Sequence, residues 1–393
     1  MNWIVILLKR EFRLFFSNKL VMAIFIGAPV LYGVLTAYVY IKGEPKEISI
    51  IVVDEDASPL SENIREALHD NEYVDIFQIK SNQYGVEDAV KLHDIAAVIT
   101  IPDHFESDIY SKKHPEIIVD INTSNIVSAN YASRGIQHVL ASYNAGIEIE
   151  ALQKGGMPAR QAQQHFEAFQ VSYARHYNQT ANYMVFLWPG ILGTIIQQVF
   201  LLALALTFAR EFEEQTFGIM LNYTKSAFGI ILIKTVPFAI LGLGLWVGMG
   251  LMFPLFGVPL QGSFLLLNLS GAVFILAIIA IGICVSVFVP NQLKATEVLM
   301  IIATPSFIIS GFTWPLAQMP TWVQHIAYCI PLTHFLEAFR KITLYQAGLT
   351  HILPQMQRLL FLMFTFYFLS LAGIYWKIRQ FRKPLMCDAA KRK

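Results

Sequence analysis

Residues 201–216 read LLALALTFAREFEEQT, an apolar run that ends abruptly in Arg210-Glu211-Phe212-Glu213-Glu214. Upstream, residues 182–209 contain no Lys, Arg, Asp or Glu, and downstream Lys234 is the single such residue between Ser226 and Val289. A charged side chain at the centre of a bilayer costs about 2.5–3.5 kcal/mol. Four ionised groups in five residues therefore cannot lie in hydrocarbon, and the run is expected as a short surface loop between two membrane-spanning helices. A compact charged loop framed in this way is suited to receiving force or a signal from a soluble partner.

The 393 residues are 55% hydrophobic and 15% charged, well below the roughly 25% charge of soluble domains, so the chain is expected to be a membrane protein. Its charge is unevenly placed. Residues 42–181 hold 21 of the 28 acidic groups and 11 of the 29 basic ones, which marks them as a soluble insertion. The apolar run 20–41 is too long for a signal peptide and long enough to span a bilayer. Further spans are predicted at 183–209, 227–252, 265–289, 295–311 and 359–376. Fourteen Lys/Arg flank one set of span ends and three the other. This asymmetry predicts that both termini and the Arg210 loop are cytoplasmic and residues 42–181 extracytoplasmic.

The expected fold is thus an α-helical membrane protein with six transmembrane helices and an inserted α/β domain. Residues 1–19 read as an amphipathic helix on the cytoplasmic surface, with Trp3, Leu7, Leu8, Leu14 and Phe15 on one side and Lys9, Arg10 and Arg13 towards the other. Within 42–181, strands are predicted at 48–53, 73–79, 96–101 and 116–121. Helices are predicted at 61–69, 84–94 and 103–112, with two long ones from 126 to 154 and on to about Tyr177. Residues 182–378 hold the other five spans and a Pro-rich outer segment, 312–335, read as re-entrant. Residues 379–393 form a basic cytoplasmic tail.

Several chemistries are disfavoured. No Gly-Lys dipeptide occurs, so the phosphate-binding loop that needs Lys after Gly-rich amides is missing, and energy is expected from another subunit. Lys234 and Glu297 are the charged residues inside predicted spans, each near a cytoplasmic end where a long side chain can snorkel. Ion-coupled carriage therefore has little support. Cys284, Cys329 and Cys387 share no metal-like spacing, and no two of the ten His stand three or four apart. Asp54-Glu55-Asp56 suits a strand-end turn. No catalytic residue and no metal site is expected. Gln197 and Gln198 lie mid-span and need partners or a water-filled path, while Gly242, Gly244, Gly248 and Gly250 offer close helix packing, with Gly244 and Gly248 at small-xxx-small spacing.

Taken in order, these features resemble the permease subunits of ABC-2 type exporters, in the branch with a large outer domain between the first two spans. Arg210-Glu211-Phe212-Glu213-Glu214-Gln215-Thr216 is similar to that family's R-E-x-E-x-G-T loop, with Gln215 where Gly is usual. Lys234 and Pro237 match its K-x-x-P, while Lys225-Ser226 stands where a Pro is common. Ser310-Gly311-Phe312, Pro315, Met319-Pro320 and Trp322 match the outer segment, and Pro331-Leu332-Thr333 with Arg340 the stretch after it. The resemblance implies coupling of Arg210, Glu211, Glu213, Glu214 and Thr216 to a separate ATP-binding subunit, which would hold the ATP and Mg, with no cofactor on this chain. It implies an outer gate at Ser310, Gly311, Phe312, Pro315, Pro320 and Pro331, and Gln197 and Gln198 are candidates for the translocation path. It also implies a second permease copy or paralogue, a periplasmic membrane-fusion adaptor, contact with membrane lipid, no nucleic acid, and residence in a bacterial inner membrane. The absence of a charged pocket in the spans leans towards an amphiphilic, drug-like or lipid-like substrate. A membrane receptor or an envelope-assembly anchor is the alternative, but a receptor needs a cytoplasmic output module larger than these short loops.

Overall fold

The computed structural model describes residues 2–166 and 176–390. The chain divides into one unit built from 1–43 and 175–393 and another formed by 44–174. In the first unit six helices are long and apolar enough to cross a membrane: Lys19–Val39, Tyr183–Glu213, Ala227–Leu255, Phe264–Phe288, Gln292–Ile309 and Leu349–Phe381. The second and fourth are buried along most of their length and form the core of the unit, whereas the first, fifth and sixth turn much of their surface outward. The chain leaves and rejoins this unit at one place. Tyr183 N–H donates to the Gly43 carbonyl at 2.7 Å, and Asn182 caps the second span through the amides of Met184 and Val185. Gly43 has φ +69°, and a Cβ there would run into the Asn182 side chain, so this junction requires glycine.

Four expectations need correction. First, Arg210, Glu211 and Glu213 are not in a loop but in the last turn of the helix Tyr183–Glu213; the chain reverses at Glu214–Thr216. With 31 residues, that helix is about 46 Å long, so its charged end extends past a hydrocarbon layer of about 30 Å. Second, the fifth span is broken: Gln292–Ala303 stops before Pro305 and Ser306–Ile309 follows, since proline breaks the helical ladder. Third, the last helix, Leu349–Ala390, starts ten residues before the predicted span, because its polar first turns carry no hydropathy signal. Fourth, Gly244 and Gly248 meet nothing within 4 Å; the packing glycine is Gly242, where a Cβ would lie 2.5 Å from the Phe200 ring.

The segment 312–335 begins with a short 3-10 turn, Leu316–Gln318, and a helix, Thr321–Tyr328. A second helix, Pro331–Thr343, follows and is buried over most of its length. Phe335 stacks on Phe274 of the fourth span with ring centroids 4.1 Å apart, which brings this helix among the spans.

In the other unit, β1 (Ile48–Asp54), β2 (Val74–Lys80), β3 (Ala97–Ile101) and β4 (Ile118–Ile121) form one sheet in the order β2-β1-β3-β4. β1 runs parallel to β2 and β3, and β4 is antiparallel. The central β1 has apolar clusters on both faces, which is why it reads as a continuous Ile/Val run. Asp54 accepts from the Ala57 amide and the Ser61 hydroxyl, both at 2.9 Å, so part of the acidic cluster closes a turn and starts a helix. The helix after Lys154 resumes at Ala159–Phe166. Its expected continuation over 167–175 lies outside the described residues, as do the last three residues of the basic tail.

The two glycine environments give a direct comparison. Gly242→Val should destabilise the protein by about 1–3 kcal/mol, whereas Gly244→Val should be tolerated. Retention of monodisperse protein in detergent after a heating series measures both.

Candidate functional site

On the N-terminal helix Asn2–Ser17, Leu7, Glu11 and Phe15 are buried at intervals of four residues. This spacing puts all three on one face, so Glu11 sits in the middle of the apolar stripe. Phe15 packs edge-on to Phe25 and Phe238, with centroids 5.3 and 5.8 Å away, which holds the helix against the first and third spans. Arg10 and Glu11 are thereby brought to the end of the second span.

Four charges meet there. Lys234, on the third span and 1% exposed, donates from Nζ to Glu11 Oε2 at 2.8 Å and to Glu211 Oε1 at 2.9 Å. Glu211, 2% exposed, also accepts both arms of the Arg10 guanidinium, at 2.7 and 2.9 Å. Arg10 Nη1 lies 3.0 Å from Glu11 Oε1. The Thr216 hydroxyl donates to Glu211 Oε2, and the Thr216 amide to the Glu211 carbonyl at 2.9 Å. Two cations and two carboxylates cancel, and their hydrogen bonds satisfy groups that would be costly if buried alone. Burial by itself lowers the Arg10 value, but hydrogen bonds and charge from Glu211, then Glu11, more than reverse this, so it lies above the ordinary arginine value. Lys234 therefore does not snorkel to the surface: it is the centre of the cluster. Pro237, one turn on, lines a 60 Å³ cavity beside it with Glu11, Phe15 and Asn18.

The five residues expected to contact a partner divide into three groups. Glu211 and Thr216 point inward. Glu213 accepts from the Gln292 amide and side chain, both at 3.0 Å, at the start of the fifth span, where a helix N-terminus favours negative charge. Arg210 and Glu214 form an ion pair at 2.9 Å on the outside. Gln215 has φ +59°, a left-handed conformation that explains why Gly suits this position in the resembling motif. Beyond the turn lies a helix, Phe217–Tyr223, which buries Phe217 and Met220 and exposes Ile219 and Tyr223. Sequence reasoning missed both this helix and Glu11. Their signals were the i, i+3 pair Phe217/Met220 and an acid at i+4 between Leu7 and Phe15.

Of the residues expected at an outer gate, Phe312 meets Arg340, Ser310 and Gly311 adjoin it, and no hydrogen bond or ring contact joins Pro315, Pro320 or Pro331 to this group among the described residues. Arg340 Nη2 donates to the Phe312 carbonyl at 2.6 Å, and its guanidinium lies 4.2 Å above the Phe312 ring. Phe186 stacks on that ring at 5.7 Å. Ser310 accepts from the Phe312 amide at 3.3 Å, and Gly311 has φ +82°. Pro315, Pro320 and Pro331 each stand at the start of a short helical segment. Burial lowers the Arg340 value, which Tyr345 and Glu337 partly oppose. Gln197 is 1% exposed and donates to Ser306 Oγ at 2.8 Å, while Gln198 is half-buried.

Residues 19–374 match a family profile described as ABC-2 family transporter protein. The chain is 28% identical over 170 residues to the probable multidrug ABC transporter permease YbhS of Escherichia coli (strain K12). That match covers 43% of this chain and 45% of the relative, less than half the length of either. The probable multidrug ABC transporter permease YbhR of the same organism is 22% identical over 355 residues, 87% of this chain and 90% of that one. The inner membrane transport permease YhhJ is 25% identical over 265 residues, 65% and 67% of the two chains.

Lys234→Met leaves two carboxylates facing one guanidinium, and removing one partner of a buried pair costs about 3–5 kcal/mol. Lys234→Met combined with Glu11→Gln restores neutrality and should recover a large part of that loss. Thermal midpoints of the single and double variants in detergent test this; equal midpoints mean that the cluster's charge balance is unimportant.

Proposed function

The chain belongs to the ABC-2 family of transporter proteins, and we propose that it is the permease subunit of an exporter powered by a separate ATP-binding subunit. The observation that carries this reading is the charge cluster. It joins the N-terminal helix, the end of the second span, the Glu214–Thr216 turn and the third span through groups that cannot be separated without exposing buried charge to an apolar interior. A partner pressing on the turn would move these elements together rather than bend one loop. Arg210, Glu214 and the exposed face of Phe217–Tyr223 are the surface offered to that partner, while Glu211 transmits the movement from inside.

The Lys/Arg asymmetry supports placing this surface and both termini in the cytoplasm, with residues 42–181 outside. In this reading a second copy or a paralogue completes the pathway, and the Arg340 assembly closes its outer side. A periplasmic adaptor meets the outer domain, and the membrane is a bacterial inner membrane. The apolar lining of the spans and the names of the relatives favour an amphiphilic, drug-like or lipid-like cargo.

Two variants separate docking from coupling. Ile219→Asp with Tyr223→Asp should abolish co-purification of a co-expressed ATP-binding subunit while leaving membrane insertion intact. Glu211→Gln should keep the complex but lower permease-dependent ATPase activity at least about tenfold, equivalent to about 1.4 kcal/mol in the barrier. Wild-type complex formation by the first variant together with wild-type ATPase activity in the second would sink the assignment.

A further inference from the structure

In the last helix Arg358 and Lys377 bracket the 18 residues Leu359–Trp376, which include no Asp, Glu, Lys or Arg. Eighteen helical residues span about 27 Å, close to the hydrocarbon thickness of about 30 Å. Arg358 therefore stands at headgroup depth. Three spans separate it from the Arg210 turn, which puts it on the opposite membrane face. It is exposed, its guanidinium lies 5.0 Å over the Tyr328 ring, and it makes no ion pair or hydrogen bond among the described residues. From Val298 to Arg358 the chain has three cations, Arg340, Lys341 and Arg358, and one acid, Glu337. Lys341 already engages Glu337 at 2.9 Å, and Gln355 donates to it at 2.6 Å. This end of the unit thus offers positive charge that its own acid does not meet.

The segment that carries Tyr328 suits the same depth. Residues 312–330 contain no Asp, Glu, Lys or Arg, yet Trp314, Trp322 and Ile326 are 59%, 66% and 48% exposed. A face turned to water would carry charge. An uncharged one that shows Trp fits the membrane interface, where the ring meets the apolar layer and the N–H the headgroups. The inner Trp188 and Trp246 donate to the Gly33 carbonyl and to Asn268, both at 3.0 Å, whereas Trp314 and Trp322 make no hydrogen bond among the described residues. We propose that Arg358 binds the phosphate of a phospholipid in the leaflet opposite the Arg210 turn, with the Trp-bearing segment resting in the same headgroup layer. A guanidinium gives a phosphate two parallel donors and keeps its charge in this setting. The proposal rests on the six spans and not on the exporter reading, so its failure leaves the docking and coupling variants informative.

Cys329 follows Tyr328 and is exposed, so it reports what covers this place. The experiment uses purified full-length protein in dodecyl maltoside and N-ethylmaleimide, with modification at Cys329 counted by peptide mass spectrometry. The probes are dioleoylphosphatidylglycerol, dioleoylglycerol, which has the same chains without the phosphate, and sodium phosphate. The phospholipid should slow modification at a concentration at least about tenfold below that of dioleoylglycerol, the ratio expected of one charge-assisted hydrogen bond. Sodium phosphate alone should give no protection. Arg358→Gln should raise the half-protecting phospholipid concentration about tenfold, and Arg358→Lys, which keeps the charge, should stay within about threefold of wild type. The wild-type protein alone can overturn the proposal: equal protection by the two lipids removes the phosphate contact, and no protection by either removes the site. Protection that rises with protein concentration and not with lipid means that a second copy covers this face, which also overturns it. So does an unchanged half-protecting concentration in Arg358→Gln.

Discussion

Lys234 sits where neither water nor lipid can solvate it, and this constraint organises one side of the membrane unit. An ammonium in a low-dielectric interior must be given compensating charge or lose its proton. Here the compensation comes from two carboxylates on two other elements, Glu11 from the N-terminal helix and Glu211 from the second span. Arg10 then balances the second negative charge. Once these four positions are set, the N-terminal helix has one orientation and the turn at Glu214–Thr216 has one path. Buried ion pairs contribute modestly to stability relative to apolar packing, but they penalise every arrangement that separates them. The cluster is better understood as a device for register than as a source of binding energy.

The Arg340 assembly applies the same logic with different partners. A half-satisfied guanidinium lies against a stacked pair of aromatic rings and takes a backbone carbonyl instead of a carboxylate. It fixes the path of the chain through Gly311 and Phe312, where prolines on either side prevent a continuous helix. The two assemblies differ in what holds them. Four charges balance one another in the first, whereas in the second one cation is held by a backbone carbonyl and two aromatic rings.

The broad plan was legible in the sequence because each layer has its own period. Spans announce themselves as long uncharged runs, and β1 as a run of Ile and Val between turn residues. The site was half legible. Glu211 and Lys234 stand out as charges beside apolar stretches, but nothing local says that they pair with each other, or that Glu211 pairs with Arg10 and Lys234 with Glu11, each more than 200 positions away. Glu211 and Glu213, two residues apart in one helical turn, look alike in the sequence, although the helix turns one inward and the other to Gln292. Gly242 was distinguishable from Gly244 only through Phe200, a contact made in three dimensions. Gln215 looked like a departure from a motif, yet its backbone adopts the left-handed conformation that glycine would supply.

The last helix has a mechanical meaning of its own. Near one end, Gln355 donates to Glu337 of the helix Pro331–Thr343 at 2.6 Å. Near the other, Phe381 lies against Phe217, with centroids 5.4 Å apart, and Lys377 lies 5.0 Å over the Phe212 ring. Leu349–Phe381 is an unbroken stretch of 33 residues within that helix, a stiff rod of about 50 Å at 1.5 Å per residue. A rod fastened at both ends cannot move one without the other: a tilt of about five degrees about its middle displaces each end by about 2 Å. The same helix therefore ties the helix Pro331–Thr343 at one end to Phe212 and Phe217 at the other, with the fourth span packed along it.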